Sequence, residues 1–164
     1  MRMSDPPSVE VHLTVAAPPE RVWELVSDVT RVSDWGAECV TAEWLDGADG
    51  PAVGVRFVGH QLWKGFQWDT TSTVIEAEQG ISFAWAVEDP ANPAATWRYH
   101  LRCDESGSTV VRYRAVLGPG PSYLTARIAR RPDREECLIA RRLEEHGQNM
   151  MTTLQAIKRA AELH

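Results

Sequence analysis

The C-terminal part of the sequence carries the pattern of one long helix, and this pattern constrains the fold most. No proline occurs after residue 132, and Asp133 and Glu136 resemble the capping box that begins many helices. Apolar or small residues then recur at spacings of three and four, which places on one helix face Ile139, Leu143, Gly147, Met150, Leu154, Ile157 and Ala161. We expect this face to cover a sheet.

The preceding sequence predicts strands and short helices. The alternating segment "VEVHLTV" at 9–15 predicts a strand, "PPERVWELVSDV" at 18–29 a short helix, and "RVSDW" at 31–35 a turn or second short helix. A third short helix is predicted at 122–131. Turn-forming residues separate six further runs, as in an antiparallel meander, with strands near 39–45, 53–63, 66–77, 81–88, 95–103 and 109–117.

These elements predict an α+β fold in a single domain spanning residues 1–164. Its expected form is a helix-grip fold, in which an antiparallel curved sheet of about seven strands wraps around the long C-terminal helix. Two short helices follow strand one.

Side-chain alternation predicts which strand residues face the helix, because turn length sets which residues lie opposite each other. A five-residue loop at 104–108 places Tyr99 opposite Tyr113, and two-residue turns at 64–65 and 79–80 extend the register to the other strands. The predicted inner face comprises Val55, Phe57, Gly59, Gln61, Trp63, Phe66, Trp68, Thr70, Ser72, Val74, Phe83, Trp85, Val87, Trp97, Tyr99, Leu101, Val111, Tyr113 and Ala115.

This inner face mixes aromatic rings with small and polar residues, as in a hydrophobic ligand pocket. It carries almost no ionisable side chain, with Glu76 as the candidate exception, while His60 and Arg98 fall on the opposite face. Gly147 either leaves room for a ligand or allows close helix–sheet packing, and the tryptophans fit a solid core as well as a pocket. The predicted ligand-binding residues are Phe57, Gly59, Gln61, Trp68, Thr70, Ser72, Trp85, Trp97, Tyr99, Tyr113, Gly147, Met150, Met151 and Leu154.

Composition argues against several other classes of function. The net charge of −6, from 17 Lys+Arg against 23 Asp+Glu, does not favour a nucleic-acid partner. The cysteines Cys39, Cys103 and Cys137 lack metal-ligand spacing, so no metal or cofactor is predicted. No segment resembles a signal peptide or a membrane span, and free thiols fit a cytoplasmic protein.

Three segments carry a resemblance to a known family: "VHLTVAAPPERVWELVSDVTRVSDW" at 11–35, "VGVRFVGHQLWKGFQWDTTSTVIEAEQGISFAW" at 53–85 and "MMTTLQAIKRAAE" at 150–162. With these segments the chain resembles the SRPBCC (START-like) superfamily, and within it the polyketide cyclase/dehydrase proteins. The resemblance implies a helix-grip fold that binds hydrophobic ligands such as lipids, sterols, polyketides or quinones between sheet and helix. It supplies no shared catalytic motif, so no catalytic residue is predicted.

Three functions follow from these observations. The first is a carrier or sensor of a hydrophobic small molecule, acting as a monomer or homodimer without inserting stably into membranes. The alternative is a polyketide cyclase/dehydratase in which Tyr99, Tyr113 and Gln61 orient the substrate; the outward-facing arginines and histidines argue against it. The third is a partner-binding module that uses the arginine-rich segment 127–142.

Overall fold

The computed structural model describes residues 2–163 as a seven-stranded antiparallel sheet and three α-helices. The strand order is β1-β7-β6-β5-β4-β3-β2. The strands are β1 (Ser8–Val15), β2 (Cys39–Trp44), β3 (Arg56–Trp63), β4 (Phe66–Glu78), β5 (Ser82–Val87), β6 (Ala95–Cys103) and β7 (Thr109–Leu117). The helices are α1 (Pro19–Val26), α2 (Tyr123–Arg130) and α3 (Glu135–Glu162), with 3₁₀ helices at Val29–Asp34 and Pro132–Arg134.

This architecture confirms the predicted α+β helix-grip fold. The sheet is open, with β1 and β2 at its two edges, and two short helical segments follow β1 as predicted. Among the described helices, none combines the length and the apolar character that a membrane span requires.

The predicted register is confirmed for most of the sheet. Tyr99 lies opposite Tyr113 across β6 and β7, and Gly59 lies opposite Thr70 across β3 and β4. The prediction that His60 faces away from the helix is also confirmed, because its Nδ1 lies 2.7 Å from Asp69 Oδ1 on the outer face of the sheet. Turn length and alternation were therefore sufficient to orient these strands.

The register prediction was wrong at the turn between β4 and β5. Glu78 pairs with Ser82, so the connection has three residues rather than two, and a β-bulge lies between Val74 and Glu76. The bulge adds one residue to β4, so the predicted pairing holds again on the far side of the bulge, where Val74 lies opposite Trp85 and Ser72 lies opposite Val87. Between bulge and turn the faces are exchanged: Ala77 packs against the core, and Glu76 binds Arg98 Nε at 3.0 Å on the outer face.

Other differences concern the ends of elements. The predicted capping box is absent, because α3 begins at Glu135 and the Asp133 carboxylate instead accepts hydrogen bonds from Arg131. The strand predicted from residue 53 begins at Arg56, because Gly54 adopts a positive φ of 90° in the preceding turn. The helix predicted at 18–29 ends at Val26.

Helix α3 packs mainly against β1, with further contacts to β7 and α1. Its predicted apolar face is buried there, since Ile139 and Ile157 are fully enclosed and Leu154 is 1% exposed. Gly147 allows close approach to β1, because a Cβ at this position would lie 3.4 Å from Val9 Cγ2. The helix is therefore held at one side of the sheet and leaves a gap over the strands on the other side.

We expect Ile157→Ala to lower the free energy of unfolding by about 2–5 kcal/mol, because the substitution leaves a void in the packed core beneath α3. Urea unfolding followed by circular dichroism measures this change. The matched control is Ile81→Ala, where the side chain is 43% exposed and the expected loss is below about 1 kcal/mol. Equal losses at the two positions would contradict the proposed packing of α3.

Candidate functional site

A cavity of about 650 Å³ lies between the sheet and α3. Its sheet side is formed by residues of β2 to β7, and its helix side by α3. The structure brings eleven of the fourteen predicted ligand-binding residues to this cavity: Phe57, Gly59, Gln61, Trp68, Thr70, Ser72, Trp85, Trp97, Tyr99, Tyr113 and Met150. Their role in ligand binding stays a prediction.

Three predicted residues on α3 do not line the cavity, namely Gly147, Met151 and Leu154. Gly147 lies against Val9 of β1, and Leu154 belongs to the packed core. Of the two explanations for a glycine in the middle of α3, its position agrees with close helix–sheet packing. The apolar stripe of α3 is therefore mostly a packing surface.

Aromatic rings in mutual contact form the sheet side of the cavity. The rings of Trp85 and Trp97 are stacked, with centroids 6.3 Å apart, and Phe57 meets Trp85 edge-on at 6.0 Å. Tyr99 and Tyr113 stack at 4.0 Å with an interplanar angle of 11°. This surface offers large apolar area in a geometry that suits a planar ring.

The hydroxyl groups of Tyr99 and Tyr113 remain protonated in this setting. Burial raises the pKa of Tyr99, and a hydrogen bond with Tyr113 offsets only part of this effect. Burial also raises the pKa of Tyr113, and the neighbouring Tyr99 adds to it. Both phenols therefore stay neutral over the ordinary pH range and act as hydrogen-bonding groups.

The helix side of the cavity is mainly polar. The lining residues of α3 are Leu138, Arg141, Arg142, Glu145, His146, Asn149, Met150 and Thr153. Five of these residues come directly before a residue of the apolar face, namely those at positions 138, 142, 146, 149 and 153. One residue corresponds to a rotation of about 100° around a helix, so the cavity is lined by the neighbouring stripe of α3.

A network of charged side chains lies at one end of the cavity. Arg142 binds Glu38, which precedes β2, and its Nη1 lies 3.4 Å from Glu145 Oε1. Lys64, in the turn between β3 and β4, binds Glu145, and Asn149 Nδ2 donates to Glu38 Oε2 at 3.3 Å. The network joins the segment before β2, the β3–β4 turn and α3.

The charges in this network stabilise the ionised form of Glu145. Burial alone would raise the pKa of Glu145, but the hydrogen bond and charge of Lys64, with further contributions from Arg142, hold it below its usual value. The indole N–H of Trp63 also lowers the pKa of Glu145. This N–H is fully enclosed, and its geometry falls short of a regular hydrogen bond.

His146 also lines the cavity and is only 6% exposed. Its ring meets Trp97 edge-on, with centroids 4.9 Å apart and an interplanar angle of 88°. Burial, reinforced by the positive charge of Arg142 and opposed by Glu145, lowers the pKa of His146 to about 3. The imidazole is therefore neutral at physiological pH.

As the register predicted, none of the described strands places an arginine or histidine in the cavity lining, but ionisable groups reach the cavity from other elements. Arg142, Glu145 and His146 reach the cavity from α3, and Glu38 reaches it from the segment before β2. The sequence reasoning considered only the strand faces and missed these residues. For Arg142 and His146, the signal that could have found them is the polar stripe one residue ahead of the apolar stripe.

The mouth of the cavity is bordered by the tip of the β3–β4 hairpin, by α2 and by the first half of α3. Phe66 of the hairpin is 60% exposed and Tyr123 of α2 is 64% exposed, and their ring centroids lie 5.8 Å apart. The guanidinium of Arg127 lies over the Tyr123 ring at 5.8 Å. Exposed aromatic rings therefore span the boundary between the cavity and solvent.

A family model described as "Polyketide cyclase / dehydrase and lipid transport" matches residues 6–144. The chain belongs to this family. A polyketide cyclase-like protein from Corynebacterium glutamicum, determined by solution NMR, is 31% identical over 95% of this chain and 91% of its own, with a TM-score of 0.68. No curated protein sequence matches the chain.

Two further solved structures share the fold at lower identity. A START superfamily protein from Mycobacterium smegmatis is 14% identical over 95% of this chain and 97% of its own, with a TM-score of 0.69. The di-domain ARO/CYC protein BexL from the BE-7585A biosynthetic pathway is 17% identical over 96% of this chain and 47% of its own, with a TM-score of 0.66.

The environment of His146 predicts a loss of stability in acid. Because its folded-state pKa of about 3 lies below the ordinary value of 6.5, the unfolded chain takes up the proton first, and stability falls as pH drops from 6.5 towards 3. Between pH 7 and pH 5 the contribution is about 2 kcal/mol. We expect His146→Gln to lose less stability than the unsubstituted protein over this interval, as measured by urea unfolding.

Comparing the two proteins separates His146 from other titrating groups. His60 acts in the opposite direction, because its hydrogen bonds to Asp69 and Glu43 raise its pKa. The contribution of His60 to the pH dependence of stability is the same in the original protein and in His146→Gln, so it cancels when the two are compared. An identical pH dependence in the two proteins would show that His146 is not held neutral by its surroundings.

Proposed function

We propose that this protein binds a hydrophobic small molecule, such as a lipid or a polyketide, between the sheet and α3, and acts as its carrier or sensor. The observation that carries this proposal is the cavity of about 650 Å³. Sites for small ligands have volumes of roughly 300–1,000 Å³ and combine apolar surface with a few polar groups. The aromatic sheet side and polar helix side fit that description.

Membership of a family whose description includes lipid transport supports the same proposal. We further propose that the protein acts in the cytoplasm, where the three unpaired cysteines Cys39, Cys103 and Cys137 would stay reduced. The ligand-binding residues that we propose are those predicted from the sequence that line the cavity.

A second candidate function is that of a polyketide cyclase/dehydratase. The family description names this activity, and the fold resembles that of the ARO/CYC protein BexL. The observation in its favour is that the cavity holds His146 as well as Tyr99 and Tyr113, so titratable groups lie on both sides of a bound molecule. The pKa of His146, about 3, disfavours proton abstraction at neutral pH.

The third hypothesis, a partner-binding module formed by the arginine-rich segment 127–142, has less support. Arg142 is engaged with Glu38 and lines the cavity, and Arg131 is paired with Asp133 at 2.9 Å. These contacts leave fewer arginines of the segment available to a partner.

Filling part of the cavity should weaken ligand binding without disturbing the fold. Thr70 lines the cavity, whereas the next residue of β4, Thr71, faces the opposite side of the sheet. We expect Thr70→Trp to weaken binding of the neutral probe N-phenyl-1-naphthylamine at least about tenfold, or about 1.4 kcal/mol. Fluorescence titration measures the affinity.

Thr71→Trp is the matched control, since it introduces the same side chain one position away. It should leave probe affinity within about twofold of the original protein, a difference below about 0.5 kcal/mol. Circular dichroism establishes that both variants are folded. If the original protein fails to bind the probe, or both substitutions weaken binding equally, the cavity is not the binding site.

Substitution of the paired tyrosines distinguishes binding from catalysis. Tyr99→Phe and Tyr113→Phe retain both rings of the stack and remove one hydroxyl each, so we expect the affinity for the apolar probe to change by less than about fivefold. A cyclase that depends on these hydroxyls would lose about 100-fold or more in turnover. Turnover of a polyketide-like substrate that survives both substitutions would exclude that mechanism.

A further inference from the structure

His146 lies on the helix side of the cavity, where α3 meets the aromatic surface of the sheet. It is 6% exposed, and its ring edge contacts Trp97 at a centroid distance of 4.9 Å. Trp97 in turn lies 5.7 Å from Tyr113. A planar ligand lying on these aromatic rings would therefore have His146 beside it.

The imidazole of His146 has no hydrogen-bonding partner within residues 2–163. Within the same residues, Trp63 Nε1 is the side-chain polar atom that is fully enclosed without a regular hydrogen bond. The nitrogens of His146 are not sealed in this way, so they are reached from the cavity. A buried polar group of this kind is normally paired with protein, water or ligand.

Most other polar groups around the cavity already have partners in the protein. Gln61 Nε2 donates to Thr70 Oγ1 at 3.1 Å, and Thr153 Oγ1 donates to the Trp35 carbonyl at 3.2 Å. Ser72, on the sheet side, is another buried polar residue of the lining, and the described part of the chain provides no hydrogen bond to its hydroxyl group. His146 and Ser72 therefore remain open to a ligand from opposite sides.

The charges nearest to His146 cancel. Two negative groups, Glu38 and Glu145, are paired with two positive groups, Arg142 and Lys64. The other two arginines of the lining, on α2 and α3, are exposed. An ionised ligand group beside His146 would therefore lose its hydration without gaining a buried opposite charge that is free to bind it. This environment favours a neutral hydrogen-bonding group.

We propose that His146 is the specificity-determining residue of the cavity, and that it recognises a hydroxyl or carbonyl oxygen on an uncharged, ring-containing ligand stacked against Trp97. The inference rests on the proposed binding function and names the class of ligand for the same site. A neutral imidazole can accept a hydrogen bond from a hydroxyl or donate one to a carbonyl. A simple alkyl chain would leave His146 without a partner.

The test compares 2-naphthol with naphthalene, which differ by one hydroxyl group. Isothermal titration calorimetry at neutral pH measures both affinities for the original protein and for His146→Phe. Phenylalanine keeps an aromatic edge against Trp97 and removes the nitrogens. We expect the substitution to weaken 2-naphthol about fivefold, the value of one hydrogen bond, and to change naphthalene by less than about twofold.

Two further variants sharpen the result. His146→Gln retains hydrogen-bonding capacity and should recover part of the preference for 2-naphthol. Ser72→Ala removes the open hydroxyl on the sheet side and tests whether Ser72, rather than His146, determines the preference. Loss of the preference in Ser72→Ala, with none in His146→Phe, would overturn the proposal.

The outcomes also separate this proposal from the function on which it rests. If both probes bind with the same ratio of affinities in the original protein and in His146→Phe, the role of His146 is refuted and the binding function stands. If neither probe binds the original protein, the binding function fails and the role of His146 fails with it.

Discussion

The cavity depends on the way in which α3 rests on the sheet. The apolar stripe of the helix is enclosed against β1 and the core, where Ile139, Leu154 and Ile157 are almost completely buried. Each such side chain contributes roughly 1.5–3 kcal/mol through burial. Moving α3 across the sheet to close the gap would expose this stripe, so the void is less costly than the rearrangement that would fill it.

The same placement explains why the helix side of the cavity is polar. A residue that faces a void gains little from being apolar, since few atoms lie close enough for dispersion contacts. Arg142, Glu145 and His146 can occupy these positions because the first two form ion pairs and the third is neutral. The ion pairs also connect α3 to Glu38 and Lys64, and so join the segments that surround this end of the cavity.

The sequence was sufficient to predict the fold and the sheet side of the cavity, because alternation and turn length are local properties. The bulge between Val74 and Glu76 escaped prediction, since its extra residue is compensated by the three-residue connection at 79–81 and leaves the pairing of Val74 unchanged. Helical periodicity predicts the face of α3 that packs, which includes Gly147 and Leu154, but most of the cavity lining from α3 belongs to the neighbouring polar stripe. Apolar periodicity identifies the residues that pack in the core. Residues that face a cavity are not packed, so they need not be apolar and do not follow this pattern.

The titratable groups of the cavity are held in forms that suit recognition better than reaction. Protonating His146 at neutral pH would cost about 5 kcal/mol, given its pKa of about 3, and a general base must accept a proton under working conditions. Burial likewise keeps Tyr99 and Tyr113 protonated. When these three side chains act only as hydrogen-bonding partners, they avoid this free-energy cost, because none of them has to change its charge. The same desolvation that weakens them as acids and bases would strengthen any hydrogen bond that they formed with the neutral ligand that we propose.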